Sequence, residues 1–352
     1  MSLTPFYDPK KTYQENFDEG PFGVFTDGEV YHDGGEPAAD FLGQPVYLPF
    51  GIAAGPLLNG KYVKAAFAKG FDIATYKTVR TRIYPANPWP NVIPVESEDL
   101  KPGEKVTARA EYSGKLSVTN SFGVPSFNPH FWQKDMARAV RAVGRGQVVV
   151  GSFQGTVGAD GSAEAYIADF ALAARLVKET GAKILEVNLS CPNEGSAHLL
   201  CFDLERSHRV VEAIKNEIGS TPLIMKLAYF RDEGEFAKLM GMVGKMVQGV
   251  EAINTIPAKV MDEKGGQALG KDRPVSGVGG SAIRWAGLEM VRRLKKIREE
   301  NGYKFKIIGV GGVMCAQDYK DYVAAGADAV MSASGVMWNP YMAREIKKEI
   351  LK

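Results

Sequence analysis

Short apolar runs recur along this chain, with amphipathic stretches between them. The runs are Val46–Ala54, Ile73–Val79, Val148–Phe153, Ile184–Leu189, Leu223–Leu227, Ala252–Ile256, Phe305–Val310 and Ala329–Ala333. Each is of strand length and rich in β-branched or other apolar residues, the pattern of strands buried on both faces of a parallel sheet. Ile167, Phe170, Ala171, Ala174 and Val177 follow helical spacing, with Gly181 placed as a stop. Val210, Val211 and Ile214 repeat the spacing ahead of Gly219, and Phe236, Leu239, Met240 and Val243 repeat it again. Eight runs with helices between most of them predict an α/β fold, a (β/α)8 TIM barrel; an open doubly wound sheet is the alternative. Residues 1–45 are rich in Gly, Asp, Glu and Pro and show little periodicity. They read as an irregular N-terminal extension packed on a catalytic barrel formed by residues 46–352.

Polar and glycine residues gather where these runs end. Ala53, Ala54 and Gly55 close the first, Lys77 and Thr78 the second, Asn188 the fourth, and Asn254 and Thr255 the sixth. Gly311 and Gly312 follow the seventh, Ala333 and Ser334 the eighth, and Lys226 lies within the fifth. In such a barrel the C-terminal strand ends converge on one face, where active sites are built. Glycines after strand 7 and a hydroxyl after strand 8 suit the phosphate of a mononucleotide such as FMN, whereas two tight turns are the plain structural reading. A lysine following Leu223-Ile224-Met225 is costly to bury unless an anion or acceptor meets it. Lys77 follows the same logic. Asn120, Asn188, Asn193 and Asn254 each offer one acceptor and two donors without charge, which together suit a flat heterocycle such as a pyrimidine.

Composition changes this picture little. With 352 residues, 45% hydrophobic and 24% charged, the chain has bulk numbers ordinary for a globular protein, and a formal charge of +2 gives no global pull toward nucleic acid or membrane. No apolar run reaches membrane-span length, and no secretory signal is read at the start, so a cytoplasmic protein is expected. The three cysteines, Cys191, Cys201 and Cys315, match no zinc or cluster spacing, and no metal site is expected. Cys191 lies in a polar loop past a strand end, where a thiol can act as base or nucleophile. Cys201 and Cys315, beside Leu200, Phe202 and Met314, read as structural.

The loop Asn188-Leu189-Ser190-Cys191-Pro192-Asn193 resembles the catalytic loop of the dihydroorotate dehydrogenases, in the soluble branch that uses Cys as base. Ala53-Ala54-Gly55 with Asn59-Gly60 resembles the family's first flavin loop, Asn120-Ser121-Phe122-Gly123-Val124-Pro125 its substrate loop, and Ile307–Val313 its phosphate loop. The resemblance spans roughly residues 46–351. It implies FMN held by Ala54, Gly55, Lys77, Thr78, Asn188, Lys226, Gly277, Gly311, Gly312, Ala333 and Ser334. It implies dihydroorotate, or its product orotate, held by Lys77, Asn120, Gly123, Val124, Asn188, Asn193, Asn254 and Thr255. Cys191, with Lys77 beside it, would then serve catalysis by removing the C5 proton while a hydride leaves C6. The chain departs from the family pattern at Phe122, where Met is common, at Ser126, where Asn is common, and in the longer, polar stretch 94–115.

The resemblance also implies a homodimer. Fumarate, NAD reached through a separate iron–sulfur flavoprotein chain, and a quinone all stay open as electron acceptors. Another dihydropyrimidine oxidoreductase is an alternative on the same site, and two further readings share the flavin barrel. One is a tRNA dihydrouridine synthase-like enzyme, for which a more basic chain with a C-terminal helical domain is expected; the other is a non-catalytic flavin-binding sensor.

Overall fold

The structure, a computed structural model, describes residues 5–111, 115–159, 161–190 and 199–351. Eight parallel strands close into a barrel in chain order: β1 (Phe50–Ile52), β2 (Ile73–Val79), β3 (Val148–Phe153), β4 (Ile184–Asn188), β5 (Leu223–Leu227), β6 (Gly249–Ala252), β7 (Lys306–Val310) and β8 (Ala329–Ser332). β8 returns to pair with β1, so no strand of the barrel is left with an unpaired edge. The chain therefore forms the (β/α)8 barrel rather than the open sheet. The helical patterns fall as expected. Leu204–Ile218 ends at Gly219 with φ 62°, and Glu233–Val243 buries Phe236, Leu239, Met240 and Val243.

Two strand boundaries differ from the apolar pattern. β1 begins at Phe50, because Val46 belongs to a separate antiparallel hairpin, Ala39–Phe41 with Gln44–Val46. β6 runs over Gly249–Ala252, earlier than the apolar run, because its inward position is taken by Glu251. A charged residue in a buried strand hides that strand from a hydrophobicity pattern.

The barrel interior is layered by the two-residue period of its strands. Its lower half is packed by Ile73, Val148, Val150, Ile184, Ile224 and Ile308, onto which Phe41 and Val46 of the hairpin close from below. Two residues further along the same strands the inward side chains turn polar: Ser152, Glu186 and Lys226, joined by Glu251. On β3, β4 and β5 the switch from apolar to polar is therefore written into positions i and i+2, whereas β7 and β8 stay apolar at Val310 and Met331.

Insertions after β2 and β6 build a second, smaller sheet. Val92–Glu96, Lys105–Ala108 and Ser117–Asn120 come from the first; Ile256–Met261 and Val275–Gly280 come from the second. The polar stretch 94–115 supplies two of these strands. Gly277 pairs with Asn120 across the join, so residues more than 150 positions apart in sequence share one sheet.

The N-terminal extension carries more regular structure than its composition predicts. Tyr13–Glu19 is a helix closed by a capping box, in which Thr12 Oγ1 accepts from the Glu15 amide and Glu15 Oε2 accepts from the Thr12 amide. Asn59 Nδ2 donates to the Phe17 carbonyl at 3.0 Å and Tyr62 Oη to the Asn16 carbonyl at 2.7 Å, which ties this helix to the first barrel helix, Gly60–Ala68. At the other end Lys347 is buried between Asp33 at 2.7 Å and Asp72 at 2.5 Å, and so joins the last helix, Met342–Ile350, to the extension and to the start of β2. Removing the ammonium leaves two carboxylates without a counter-charge. Lys347→Met should lower stability by about 3–5 kcal/mol in urea unfolding; an unchanged midpoint would show that the latch contributes nothing.

Candidate active site

At the C-terminal face of the barrel lie two adjoining cavities of about 840 and 550 Å³. They share Ala54, Gly55, Asn120, Lys226, Asn254 and Thr255, together with Phe122. The larger extends over the ends of β7 and β8, where Gly311, Gly312, Ala333 and Ser334 line it. The smaller extends over β2 and β4, where Lys77, Thr78, Gly123, Val124 and Asn188 line it. The strand-end residues singled out in the sequence thus divide between two sub-sites that meet at Lys226. Cys191 and Asn193 lie outside the described residues. Gly277 lines neither cavity; a Cβ there would meet Thr255 Oγ1 at 2.3 Å, so its lack of a side chain makes room for Thr255.

The larger cavity is built from backbone. Gly311 and Gly312 adopt φ of 122° and 70°, a region open to glycine and strained for other residues. A Cβ on Gly312 would come within 2.6 Å of Arg284 Cβ and 2.9 Å of the Gly280 carbonyl oxygen. A Cβ on Gly55 would meet no atom within 4 Å, so this glycine keeps part of the cleft clear for a ligand. Ser332 Oγ donates to the Val313 carbonyl at 2.8 Å and fixes the loop after β7 against β8.

The smaller cavity is built from amides. Asn188 donates to Gln154 Oε1 at 3.0 Å, while its own carbonyl accepts from the Ser190 hydroxyl at 3.0 Å. Asn254 Nδ2 donates to Ser190 Oγ at 3.0 Å. Ser190 therefore links the ends of β4 and β6 and fixes the chain one residue before Cys191. On the opposite wall Arg80 donates from Nε to the Val124 carbonyl at 2.9 Å and from Nη1 to Thr156 Oγ1 at 3.0 Å. That grip holds Val124 at φ 50°, a left-handed conformation unusual for a β-branched residue. Strain held in place by a buried arginine is a feature of loops shaped for ligands.

The floor common to both cavities is charged. Lys226 Nζ lies 2.7 Å from Glu251 Oε1, both side chains being almost wholly buried. Ser152 Oγ donates to Glu186 Oε1 at 2.7 Å and lies 2.9 Å from Thr78 Oγ1. Burial pushes the Glu186 carboxyl up to about 8, the charge of Glu251 adds to that, and Lys226 opposes it. Burial pulls the Lys226 ammonium down, but the charges of Glu251 and Glu186 outweigh it and hold it above the ordinary lysine value.

Several of these residues gave no sign in the sequence. Glu186, Glu251 and Ser152 sit inside strands, and Arg80 and Gln154 just past strand ends, without a motif to mark them. Tyr7 of the extension is buried against the larger cavity, its ring edge-on to Phe122 at 5.5 Å. Of the other cysteines, Cys201 is buried and its thiol is pushed up to about 12 by burial, as a structural thiol should be. Cys315 is exposed, and its Sγ lies 3.5 Å from Asp318 Oδ2.

The dihydroorotate dehydrogenase family model matches residues 110–352. A protein from Dictyostelium discoideum named dihydroorotate dehydrogenase is 35% identical over 96% of this chain and 95% of its own. The chain belongs to the dihydroorotate dehydrogenase family. Dihydroorotate dehydrogenase B (NAD(+)) catalytic subunits are similar over a shorter stretch: that of Desulforamulus reducens is 33% identical over 50% of this chain and 55% of its own, and that of Methanocaldococcus jannaschii 31% identical over 45% and 49%. The chain thus aligns with about half the length of these B-type relatives. A crystal structure of the Eimeria tenella enzyme in complex with ferulenol superposes with a TM-score of 0.71 over 92% of this chain and 86% of that one, at 17% identity, a likeness of fold. The family is flavin-dependent, and the glycine-lined cleft over β7 and β8 fits such a group.

Because a side chain at position 312 has no room, Gly312→Ala should lower stability by roughly 1–3 kcal/mol and distort the loop after β7. Thermal unfolding of the ligand-free protein measures it; a wild-type melting temperature would show that the loop tolerates the strain.

Proposed function

We propose that this chain oxidises dihydroorotate to orotate, with FMN in the larger cavity and Cys191 as the base. The observation that supports it best is the junction of two unlike sub-sites: a glycine-built cleft suited to a mononucleotide, and an amide-lined one suited to a flat polar ring. Gly311, Gly312 and Ser334 would hold the phosphate end, with Ala54, Gly55, Thr78 and Ala333 along the cleft and Gly277 behind Thr255. When bound, FMN supplies the two-electron acceptor for the hydride that leaves C6. Lys226 places a positive charge where both cavities meet, which favours a ligand that gains negative charge on reduction.

Asn120, Asn188, Asn193 and Asn254, with Thr255 and the backbone of Gly123 and Val124, would meet the carbonyl and N–H edges of the pyrimidine ring. Lys77 would meet its carboxylate. The Cys191 thiolate takes the C5 proton, and the departing C–H electron pair forms the C5–C6 double bond as hydride leaves C6. A thiol suits this step, because its reference pKa near ~8.5 needs only a modest drop to act near neutrality. The Ser190 link to Asn188 and Asn254 gives the segment leading to Cys191 a fixed starting point, as a positioned base requires.

The same reading assigns the chain to the soluble Cys-base branch, as a homodimer in a reducing, cytoplasmic setting. Its three cysteines suit that setting. No helix among the described residues is long and apolar enough to cross a membrane. Fumarate, NAD through a partner flavoprotein, and quinone are separated by anaerobic reoxidation with each in turn.

Flavin-loaded protein should bleach when mixed anaerobically with dihydroorotate. Cys191→Ala should slow that bleaching by about 10²–10⁴-fold while retaining flavin. A wild-type protein that stays yellow would remove dihydroorotate as substrate, and an undiminished rate in the variant would move the base elsewhere.

A further inference from the structure

The polar layer inside the barrel holds two carboxyls and one ammonium. Glu186 comes from β4, Lys226 from β5 and Glu251 from β6. Glu251 is paired with Lys226 at 2.7 Å, and Glu186 accepts from Ser152 at 2.7 Å. The two carboxyls act on each other within this layer: the charge of Glu251 adds to burial in raising the Glu186 carboxyl. Yet Glu186 Oε2 and Glu251 Oε2 are both buried and find no donor among the described residues. Two carboxylates cannot satisfy each other, since both only accept. One proton between them makes one a donor and the other an acceptor, and it brings the cluster to neutrality: one ammonium, one carboxylate, one carboxylic acid. The groups facing Glu186 are Ser152 on β3, Lys226 on β5 and Glu251 on β6, with Thr78 of β2 reached through Ser152. None of them is a second cation.

We propose that Glu186 and Glu251 share one proton at neutral pH, so that Glu251 positions and charges Lys226 while Glu186 sets the net charge of the pocket floor. Glu186 is the protonated member, because Glu251 has the closer cation. Loss of that proton in alkaline solution adds one negative charge beneath both cavities and weakens binding of an anionic ligand. The charge state of the cluster belongs to the barrel itself; its effect on orotate rests on the function proposed above.

The sign of the stability effect follows from the direction of the shift. A carboxyl whose folded value, about 8, lies above its ordinary value near 4.5 stabilises the fold below the ordinary value. That contribution is lost as pH rises from about 5 through 8. Asp72 is raised by burial to about 6 and titrates in the same window, so the comparison must be with a variant that leaves Asp72 in place.

Infrared spectroscopy of the full chain, with and without FMN, tests the shared proton directly. At pH 7 the ligand-free protein should show the C=O band of a buried protonated carboxyl, which fades as pH rises through about 8 and is missing from Glu186→Gln. A wild-type spectrum without that band at pH 7 overturns the proposal, whether or not any variant folds. If Glu186→Gln folds, its melting temperature should fall less than that of the wild type from pH 5 to pH 8. The ratio of wild-type to variant dissociation constants for orotate should rise roughly fivefold between pH 7 and pH 9. A flat ratio, with orotate bound, overturns the assigned effect on the pocket floor. Failure of orotate to bind at any pH would instead remove the proposed substrate, and the infrared band would still decide the proton.

Discussion

The closed parallel barrel imposes one constraint on everything else in this protein: each inward side chain two residues further along a strand lies one layer closer to the same open end. Ile184 and Glu186 on β4, and Ile224 and Lys226 on β5, are the same strand faces read at successive layers. Below, apolar packing excludes water and is sealed by Phe41 and Val46. Above, the side chains become polar within that water-poor shell, so their charges act on one another with little screening. The Lys226–Glu251 pair is stable there because the barrel holds both strands in register, Lys226 opposite Glu251.

On that floor the two sub-sites are made differently. The larger uses glycine backbone after β7 and leaves its shape to φ angles that only glycine takes easily. The smaller uses amide side chains locked to one another through Ser190 and a loop strained at Val124 and gripped by Arg80. Neither depends on a mobile charge at the surface. A rigid lower barrel, and an upper layer tied by the Lys226–Glu251 pair and the Ser152–Glu186 hydrogen bond, together keep the reacting geometry fixed, which is what a proton abstraction coupled to hydride loss needs.

Much of this was legible in the chain. Runs such as Ile73–Val79 and Leu223–Leu227 announced their strands, and the polar residues at strand ends announced the face on which the site lies. Residues tied by long-range pairing were not legible. Gly249–Ala252 was displaced in the pattern because Glu251 points inward, and nothing local distinguishes a buried glutamate from a solvated one. Ser152 and Glu186 meet only because β3 and β4 are neighbours. The second sheet is assembled from two insertions far apart in sequence, and Tyr7 reaches the larger cavity from an extension whose composition suggested no regular structure. In each case the signal is a contact between distant segments, which a one-dimensional periodicity does not carry. The resemblance of the Cys191 loop supplied the chemistry, while the structure supplied the floor on which it would act.

The most direct test of this account is a crystal structure of the protein with FMN and orotate bound. The account predicts the FMN phosphate against Gly311, Gly312 and Ser334, the isoalloxazine ring beside Lys226, and orotate among Asn120, Asn188 and Asn254 with Cys191 Sγ facing C5. Orotate seated away from those asparagines, or a flavin phosphate bound elsewhere than the ends of β7 and β8, would contradict it.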